Sequence, residues 1–227
     1  MDLAKPGLDV GMFTERLDSQ TAFWSDVAKL PSEAMQKLGD GIHQHRFVAG
    51  ISVIKVNNSR HALTGQGSGI AGISLIRKGL PRCIVVRDPD GQPVMLQPAA
   101  DGDHVELVVH LEVSNLAAHQ AFWHSVMQLP ACGDGYLCGT TKLQLKETDT
   151  PRRPQSWKVR GWSYLTVQVR DCVSEHAAAL RRGAREGEPP RLIGDSAVIS
   201  FVRDPDGNFI ELSQKAELVG PFGSAPH

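Results

Sequence analysis

The chain has 227 residues, 41% of them hydrophobic, and its 24 basic and 25 acidic side chains leave a formal net charge of −1. This length fits one large domain or two small ones, and the balanced charge excludes a chain-wide basic surface for nucleic acid. No apolar run reaches the roughly 18 residues of a membrane-spanning helix. The four cysteines form no Cys-x-x-Cys pair. We therefore expect a cytoplasmic protein whose partner is a small molecule, with neither nucleic acid nor a membrane as a partner.

The first hundred residues alternate between strand and helix patterns. Residues 9–14 are predicted to form a strand and residues 19–30 a helix, and the segment 43–56 is rich in strand-forming residues. Two more strands are predicted at 69–77 and 82–87. Too few residues separate these last two strands to hold a helix.

The second half follows the same order more completely. Its predicted elements are a strand at 104–114, a helix at 116–128, strands at 140–147 and 162–169, a helix at 172–182, and a hairpin of strands 197–202 and 208–213. The order is therefore β-α-β-β, a Pro-rich loop, and β-α-β-β again.

Two sequence repeats relate the halves. Residues 22–31 and 121–130 share six of ten positions, including Ala-Phe-Trp and Leu-Pro. The sequence Val-Arg-Asp-Pro-Asp-Gly occurs at 86–91 and again at 202–207. Because both repeats recur in the same order, the chain is predicted to consist of two homologous halves. We expect the aspartates of both repeats to serve turn formation.

Paired βαβ-type units that end in an Asp-Pro-Asp-Gly hairpin resemble the vicinal oxygen chelate superfamily. This superfamily includes glyoxalase I, extradiol ring-cleaving dioxygenases and bleomycin-resistance proteins. The resemblance implies an α+β fold of four tandem βαβββ modules, the second one truncated, which form cupped mixed sheets. Residues 1–100 would be a degenerate module pair, and residues 101–227 a complete pair that carries the site. The resemblance leaves open which modules share a sheet and whether the protein is a homodimer.

Members of this superfamily hold a divalent metal in the cup with two histidines and a glutamate. Here Glu211 matches the glutamate place, whereas Val108 and Tyr164 stand at the two histidine places. The corresponding places of the first half are held by Asp9, Gly72 and Met95. A bound iron, manganese or zinc ion would therefore need displaced ligands, for which His110 and Glu211 are the alternative pair.

The candidate site lies in the cup of the second half. The candidate catalytic residues are Glu211, Tyr164 and His110, whose side chains share one face if their strands are regular. The candidate substrate-binding residues are Glu106, Trp162, Gln168 and Phe209.

Two functions stay open from the sequence. One is an enzyme of the dioxygenase, lyase or isomerase type that acts on a small oxygenated molecule, including an aromatic one. In the absence of a metal, Glu211 would be the general base and Tyr164 a hydrogen-bond donor. The alternative is a metal-free protein that binds and sequesters its ligand, as bleomycin-resistance proteins do.

Overall fold

The structure is a computed structural model that describes residues 1–63, 65 and 67–222. Within these residues, fifteen strands form two mixed sheets, one of eight strands (sheet 1) and one of seven (sheet 2). Short helices accompany the strands, so the predicted α+β class is confirmed. None of the described helices has the length and apolar character needed to span a bilayer.

The first half contributes seven strands and one short helix. Its strands are β1 (Leu3–Thr14), β2 (Ser32–Lys37), β3 (Ile42–Ala49), β4 (Ser52–Ser59), β5 (Ile70–Arg77), β6 (Ile84–Arg87) and β7 (Pro93–Pro98). Helix α1 (Leu17–Ala22) continues into a π-helical turn, Phe23–Val27. The described residues between β5 and β6 contain no helix, as the spacing predicts.

The second half contributes the other eight strands. They are β8 (Leu107–Val113), β9 (Ala131–Cys132), β10 (Gly135–Cys138), β11 (Thr141–Glu147), β12 (Gly161–Val169), β13 (Arg185–Ile193), β14 (Ala197–Arg203) and β15 (Phe209–Lys215). The helices are α2 (Leu116–Ala121) with its π-helical turn Phe122–Val126, α3 (Cys172–Arg181) and α4 (Ala216–Val219).

The starts of α2 and α3 follow from side-chain capping. The Asn115 side chain accepts a hydrogen bond from the Ala118 amide, and Asp171 accepts one from Ser174. Each bond satisfies an amide that the first helical turn leaves without a partner.

Each sheet joins strands from both halves of the chain. The order of sheet 1 is β13-β14-β15-β12-β1-β4-β3-β2, and that of sheet 2 is β6-β7-β5-β8-β11-β10-β9. Strand β1 pairs antiparallel with β12, and β5 with β8. The first block of strands therefore shares a sheet with the last, and the two middle blocks share the other. The boundary at residue 100 describes the sequence repeat and stays a prediction as a domain boundary.

The larger of the two hydrophobic clusters in the described residues lies between the sheets and the helices. Trp24 and Trp123, which occupy the same place in the two sequence repeats, are both completely buried in it. Large aromatic side chains at this position contribute several kcal/mol of burial energy, by the general figure of about 25 cal/mol per Å² of apolar surface. The repeated Phe-Trp motif thus serves packing.

In each half, a helix residue also binds the Asp-Pro-Asp-Gly turn. Gln20 donates from Nε2 to carboxylate oxygens of Asp88 and Asp90, both at 3.0 Å. His119 takes the same place in the second half, where its Nε2 lies 3.0 Å from Asp206 Oδ2. The turn aspartates therefore serve the fold, as predicted.

Candidate functional site

Strand alternation gives sheet 1 one face toward the core and one face away from it. Leu8, Val10 and Met12 of β1 lie in the core, so Asp9 and Gly11 point to the opposite face. We call this opposite face the open face of sheet 1.

The open face carries an unusual number of polar side chains for buried positions. Its buried polar members on β3, β4, β12 and β15 are Gln44, Arg46, Lys55, Asn57, Tyr164, Thr166, Gln168, Glu211, Ser213 and Lys215. The structure thus places the predicted residues Glu211, Tyr164 and Gln168 on one face. It adds two lysines from outside the predicted set.

A cavity of about 120 Å³ opens on this face. Its walls come from β2 and β3 on one side and from β13 and β14 on the other. Because these strands stand at opposite ends of the strand order, sheet 1 must curl around the cavity. The sequence predicts a cup within the second half, whereas this cup, which we call cup 1, is built from strands of both halves. The polar groups on its wall include Gln44, Lys55, Ser196, Glu211, Ser213 and Lys215.

Lys55 and Glu211 form a buried ion pair on the cavity wall. Lys55 Nζ lies 2.7 Å from Glu211 Oε2, and only 2% of the lysine is exposed. Lys55 also donates to Thr166 Oγ1 at 2.7 Å, and that hydroxyl donates to Glu211 at 2.5 Å. A buried carboxylate is costly unless it is paired and hydrogen-bonded, and this triangle supplies both requirements.

The register of the sheet shows that Lys55 and Glu211 occupy equivalent places. Lys55 of β4 pairs with Gly11 of β1, as Glu211 of β15 pairs with Thr166 of β12. Gly11 and Thr166 each lie five residues before the residue that precedes a helix, at positions 16 and 171. The place that carries a glutamate in the last block is therefore filled by a lysine in the first.

The four expected metal-ligand places of cup 1 do not fit a divalent cation. They hold Asp9, Lys55, Tyr164 and Glu211. None is an imidazole, and the Lys55 ammonium repels a metal ion while it occupies the Glu211 carboxylate. Among the described residues, no group of three His, Cys, Asp or Glu side chains is placed to hold a metal.

Asp9 is tied into the floor of the cup by hydrogen bonds. Its Oδ1 accepts from Lys5 Nζ at 2.5 Å and from the Val53 amide at 2.9 Å, and its Oδ2 accepts from Gln168 Nε2 at 2.9 Å. Burial alone would raise the pKa of Asp9, but Lys5, Lys55 and these hydrogen bonds together lower it. Asp9 is therefore a charged anchor, and Gln168, predicted to bind substrate, holds it in place.

Tyr164 lies behind the cavity wall. Its hydroxyl accepts hydrogen bonds from Asn57 Nδ2 at 3.1 Å and Gln44 Nε2 at 3.5 Å. Burial, followed by the nearby Glu211 carboxylate, raises the pKa of this hydroxyl well above its usual value, so it stays protonated. The ring crosses directly over Gly11, where a Cβ atom would lie 2.2 Å from Tyr164 Cζ. Only glycine at that position permits this approach.

An aromatic cluster fills the rest of the cup. Trp157, from the loop between β11 and β12, stacks on Phe201 with ring centroids 4.9 Å apart. Tyr164 meets both rings edge-on at 5.8 Å, and Phe209 meets Phe201 at 6.0 Å. Phe209 thus lies on the predicted face but packs against protein. None of these four rings is among the residues that line the cavity of cup 1.

His110 lies in the other sheet, which corrects the predicted grouping. It belongs to β8 of sheet 2, whereas Glu211 and Tyr164 belong to sheet 1. The two blocks of the second half enter different sheets, so strand parity could not bring these side chains together. The alternative metal pair of His110 and Glu211 is excluded for the same reason.

Both ring nitrogens of His110 have hydrogen-bond partners within the protein. Its Nε2 lies 2.7 Å from Ser74 Oγ and its Nδ1 lies 2.8 Å from Gln144 Oε1. Burial lowers the pKa of the ring, which keeps it neutral near pH 7. His110 lines a larger cavity of about 400 Å³ on sheet 2, but both of its nitrogens already have partners there. We place the candidate site in cup 1, where buried charges face the cavity.

Trp162 points into the core, although it was predicted to line the cup. Its ring centroid lies 5.9 Å from that of Trp24. A register shift between β1 and β12 is responsible: Gly11 pairs with Tyr164, but Met12 pairs with Trp162. This bulge reverses the parity of the strand, so Trp162 and Tyr164 face opposite sides.

Glu106 lies outside cup 1. Its Oε2 accepts hydrogen bonds from the Ile51 amide at 3.2 Å and from Thr140 Oγ1 at 2.7 Å. It therefore joins the β3–β4 turn to the start of β11. Of the four predicted substrate-binding residues, only Gln168 and Phe209 reach the open face.

Lys215 is a second buried cation of the cavity wall. It is 7% exposed, and its Nζ lies 3.3 Å from Oε1 of Glu217. Burial, then the nearby Lys55 and Arg46, lowers its pKa to about 8. A lysine with this pKa is charged at neutral pH and loses its proton within a readily tested range.

This chain is similar to known proteins both in sequence and in fold. Residues 84–212 match the family model described as Glyoxalase/Bleomycin resistance protein/Dioxygenase superfamily. Glyoxalase I from Zea mays has a similar structure, with a TM-score of 0.74, 14% identity and 92% of each chain covered. A putative dioxygenase from Bacillus subtilis subsp. subtilis str. 168 gives a TM-score of 0.66 and 12% identity, covering 93% of this chain and 86% of that one. At these identities, the structural likeness shows the fold alone. No curated protein matches the sequence.

Proposed function

The chain belongs to the Glyoxalase/Bleomycin resistance protein/Dioxygenase superfamily, and on that premise we propose that cup 1 moves a proton on a small oxygenated organic molecule without a divalent metal. The observation that carries the proposal is the Lys55–Glu211 pair, joined at 2.7 Å on the wall of one cavity. A carboxylate can abstract a proton next to a carbonyl, and an ammonium beside it can stabilise the oxyanion that forms.

Each group of the pair has a defined role in that step. The Glu211 carboxylate takes a proton from the carbon beside the carbonyl, and the electron pair of the C–H bond moves to the carbonyl oxygen. The Lys55 ammonium stabilises the resulting oxyanion, helped by burial that weakens screening. Glu211 then returns the proton to a different atom of the substrate. The net reaction is an isomerisation and needs no co-reactant.

The other polar groups of the open face support this geometry. Thr166 holds the Glu211 oxygen that faces Lys55, so the carboxylate keeps its orientation. Gln44 lines the cavity and is bonded to Asn57 Oδ1 at 3.0 Å, which fixes its amide. A base held by neighbours in this way needs little rearrangement during the reaction.

Deuterium exchange in D₂O tests the proposal directly. Protein treated with chelator is incubated with small hydroxyketones, 2-oxo acids and 1,2-diketones, and C–H signals are followed by proton NMR. We expect Glu211→Gln to slow exchange by about 10²–10⁴-fold, the usual contribution of a general base. Asp134→Asn, which removes an exposed carboxylate of sheet 2, is the matched control and should leave exchange unchanged. A requirement for added metal, or full activity in Glu211→Gln, would contradict the proposal.

Ligand binding without turnover is the second candidate function. It is favoured by the completeness of the Lys55–Thr166–Glu211 triangle, in which each charge already has a partner. In that case, ligands would raise the melting temperature of chelator-treated protein, and no compound would exchange its protons. Glu211→Gln would then change binding only modestly.

A further inference from the structure

We infer that the molecule bound in cup 1 carries a carboxylate group, which pairs with the ammonium of Lys215. This inference rests on the proposed function only for the location of the ligand in cup 1. It does not depend on the proton transfer. Lys215 lines the cavity beside Ser213, whose hydroxyl is an additional donor for an anion.

The buried charges of sheet 1 do not balance at this end of the cup. Three cations are buried there, Lys55, Arg46 and Lys215, against two carboxylates, Asp9 and Glu211. Both carboxylates have short contacts elsewhere: Glu211 with Lys55, and Asp9 with Lys5. Among the described residues, Lys215 therefore has no buried counter-charge, and the carboxylate closest to Arg46 is the exposed Glu33.

The carboxylate nearest to Lys215 comes from the surface. Glu217 of α4 reaches it at 3.3 Å, and 56% of the Glu217 side chain is exposed. An exposed carboxylate keeps much of its hydration, so the contact contributes little and can be exchanged for another anion. A ligand carboxylate that enters the cavity would meet the same ammonium in a drier place, where the attraction is stronger.

The apolar lining residues and the volume of the cavity indicate what the rest of the ligand is like. Leu38, Ile193 and Ile199 line the cavity together with the polar groups. The cavity, at about 120 Å³, is smaller than the 300–1,000 Å³ that is usual for drug-sized ligands. The ligand class is therefore a small monocarboxylate with a short apolar body and a carbonyl within reach of Lys55.

Binding of this kind depends on pH through Lys215. The charged groups that act on Lys215 from the elements around it are Lys55 on β4, Arg46 on β3, Glu217 on α4 and Asp9 on β1. The two cations favour loss of the Lys215 proton, and the two carboxylates oppose it. An added carboxylate shifts this balance toward the protonated form, so binding above pH 8 takes up a proton.

Titration calorimetry with matched probes tests the inference. Propionate and benzoate are compared with propionamide and benzamide, which have the same shape and no charge. We expect wild-type protein to prefer the carboxylates by about 10- to 100-fold, the range for a hydrogen bond to a charged group. At pH 9, heats measured in buffers of different ionisation enthalpy should reveal proton uptake.

Two substitutions separate charge from shape. Lys215→Met should remove the preference for carboxylates. In the wild type this preference should decline between pH 8 and 10, as Lys215 loses its proton. Lys215→Arg should keep the preference throughout that range, because arginine stays charged. Lys142→Met, which removes a partly exposed cation of sheet 2, is the control and should behave as wild type. Circular dichroism confirms that each variant is folded.

The outcomes distinguish this inference from the proposed function. Equal binding of amides and carboxylates, or a preference that survives in Lys215→Met, would overturn the carboxylate assignment and leave proton transfer standing. A Lys215-dependent preference without deuterium exchange would support the assignment while contradicting proton transfer. Failure of both probe classes to bind to folded wild-type protein would overturn the carboxylate assignment, and proton transfer would then be decided by the deuterium exchange alone.

Discussion

Removal of Lys55 should destabilise the protein far more than removal of an ordinary surface lysine. Lys55→Met keeps the length of the side chain and deletes its ammonium. Glu211 would then stay buried with Thr166 as its remaining donor. Breaking a buried pair from one side costs about 3–5 kcal/mol, because a charge is left uncompensated. For a chain of this size, 3 kcal/mol lowers the melting temperature by roughly 6–12 °C.

A double-mutant cycle isolates the pair from other effects of the substitution. Lys55→Met, Glu211→Gln and the double variant are unfolded in urea at pH 7, with tryptophan fluorescence and circular dichroism as probes. Since the double variant buries no charge at the pair, we expect it to lose less stability than the two single costs combined, with a coupling of about 2 kcal/mol.

The control for this cycle is an ion pair of similar length in an exposed place. Lys142 Nζ lies 2.6 Å from Asp134 Oδ1 on sheet 2, and both side chains are in contact with solvent. Lys142→Met should cost below about 1 kcal/mol. Equal costs for Lys55→Met and Lys142→Met, or additive costs within the cycle, would refute the argument that burial governs the Lys55–Glu211 pair.

Three further predictions concern contacts of Lys215, Gly11 and His119. Relative to Lys215→Met, the wild type should gain stability from pH 8 to 10.5, because in this range only the unfolded chain holds the Lys215 proton. The free energy of unfolding in urea is measured for both proteins across this range. A difference between them that does not change with pH would contradict the reasoning. Gly11→Ala should cost about 1–3 kcal/mol through its clash with Tyr164, and much less in a Tyr164→Leu background, as measured by calorimetry. His119→Gln should cost under about 1 kcal/mol and His119→Ala more, since Gln20 makes the same contact in the other half; equal melting temperatures for the two variants would contradict this.

Local patterns in the sequence predict much of the fold. Alternating apolar residues identify β8, β11 and β12, and the capping residues Asn115 and Asp171 mark where two helices begin. Strand β13 was missed because most of Arg185–Ile193 is polar or proline and lies at a sheet edge. Local signals fail where an element gains its stability from pairing alone.

The candidate site was predicted less well because it depends on register and on distant partners. One bulge in β12 turned Trp162 into the core. The division of the second half between two sheets separated His110 from Glu211. Lys55 and Lys215 were overlooked because a lone lysine in a strand carries no signal until its partner is known.

The match of Glu211 to a metal-ligand place indicates a nearby positive charge, but it does not identify that charge as a metal ion. A carboxylate buried in a cup requires a positive charge beside it, and either a divalent cation or an ammonium meets that requirement. In this chain the charge comes from Lys55, 156 residues away in sequence and on a strand of the other half. The second half considered alone therefore suggests an incomplete metal site, whereas the assembled sheet supplies the counter-charge that Glu211 needs. An ammonium fixed in this position stabilises an oxyanion but does not activate oxygen, which is why the geometry favours proton transfer over oxygen insertion.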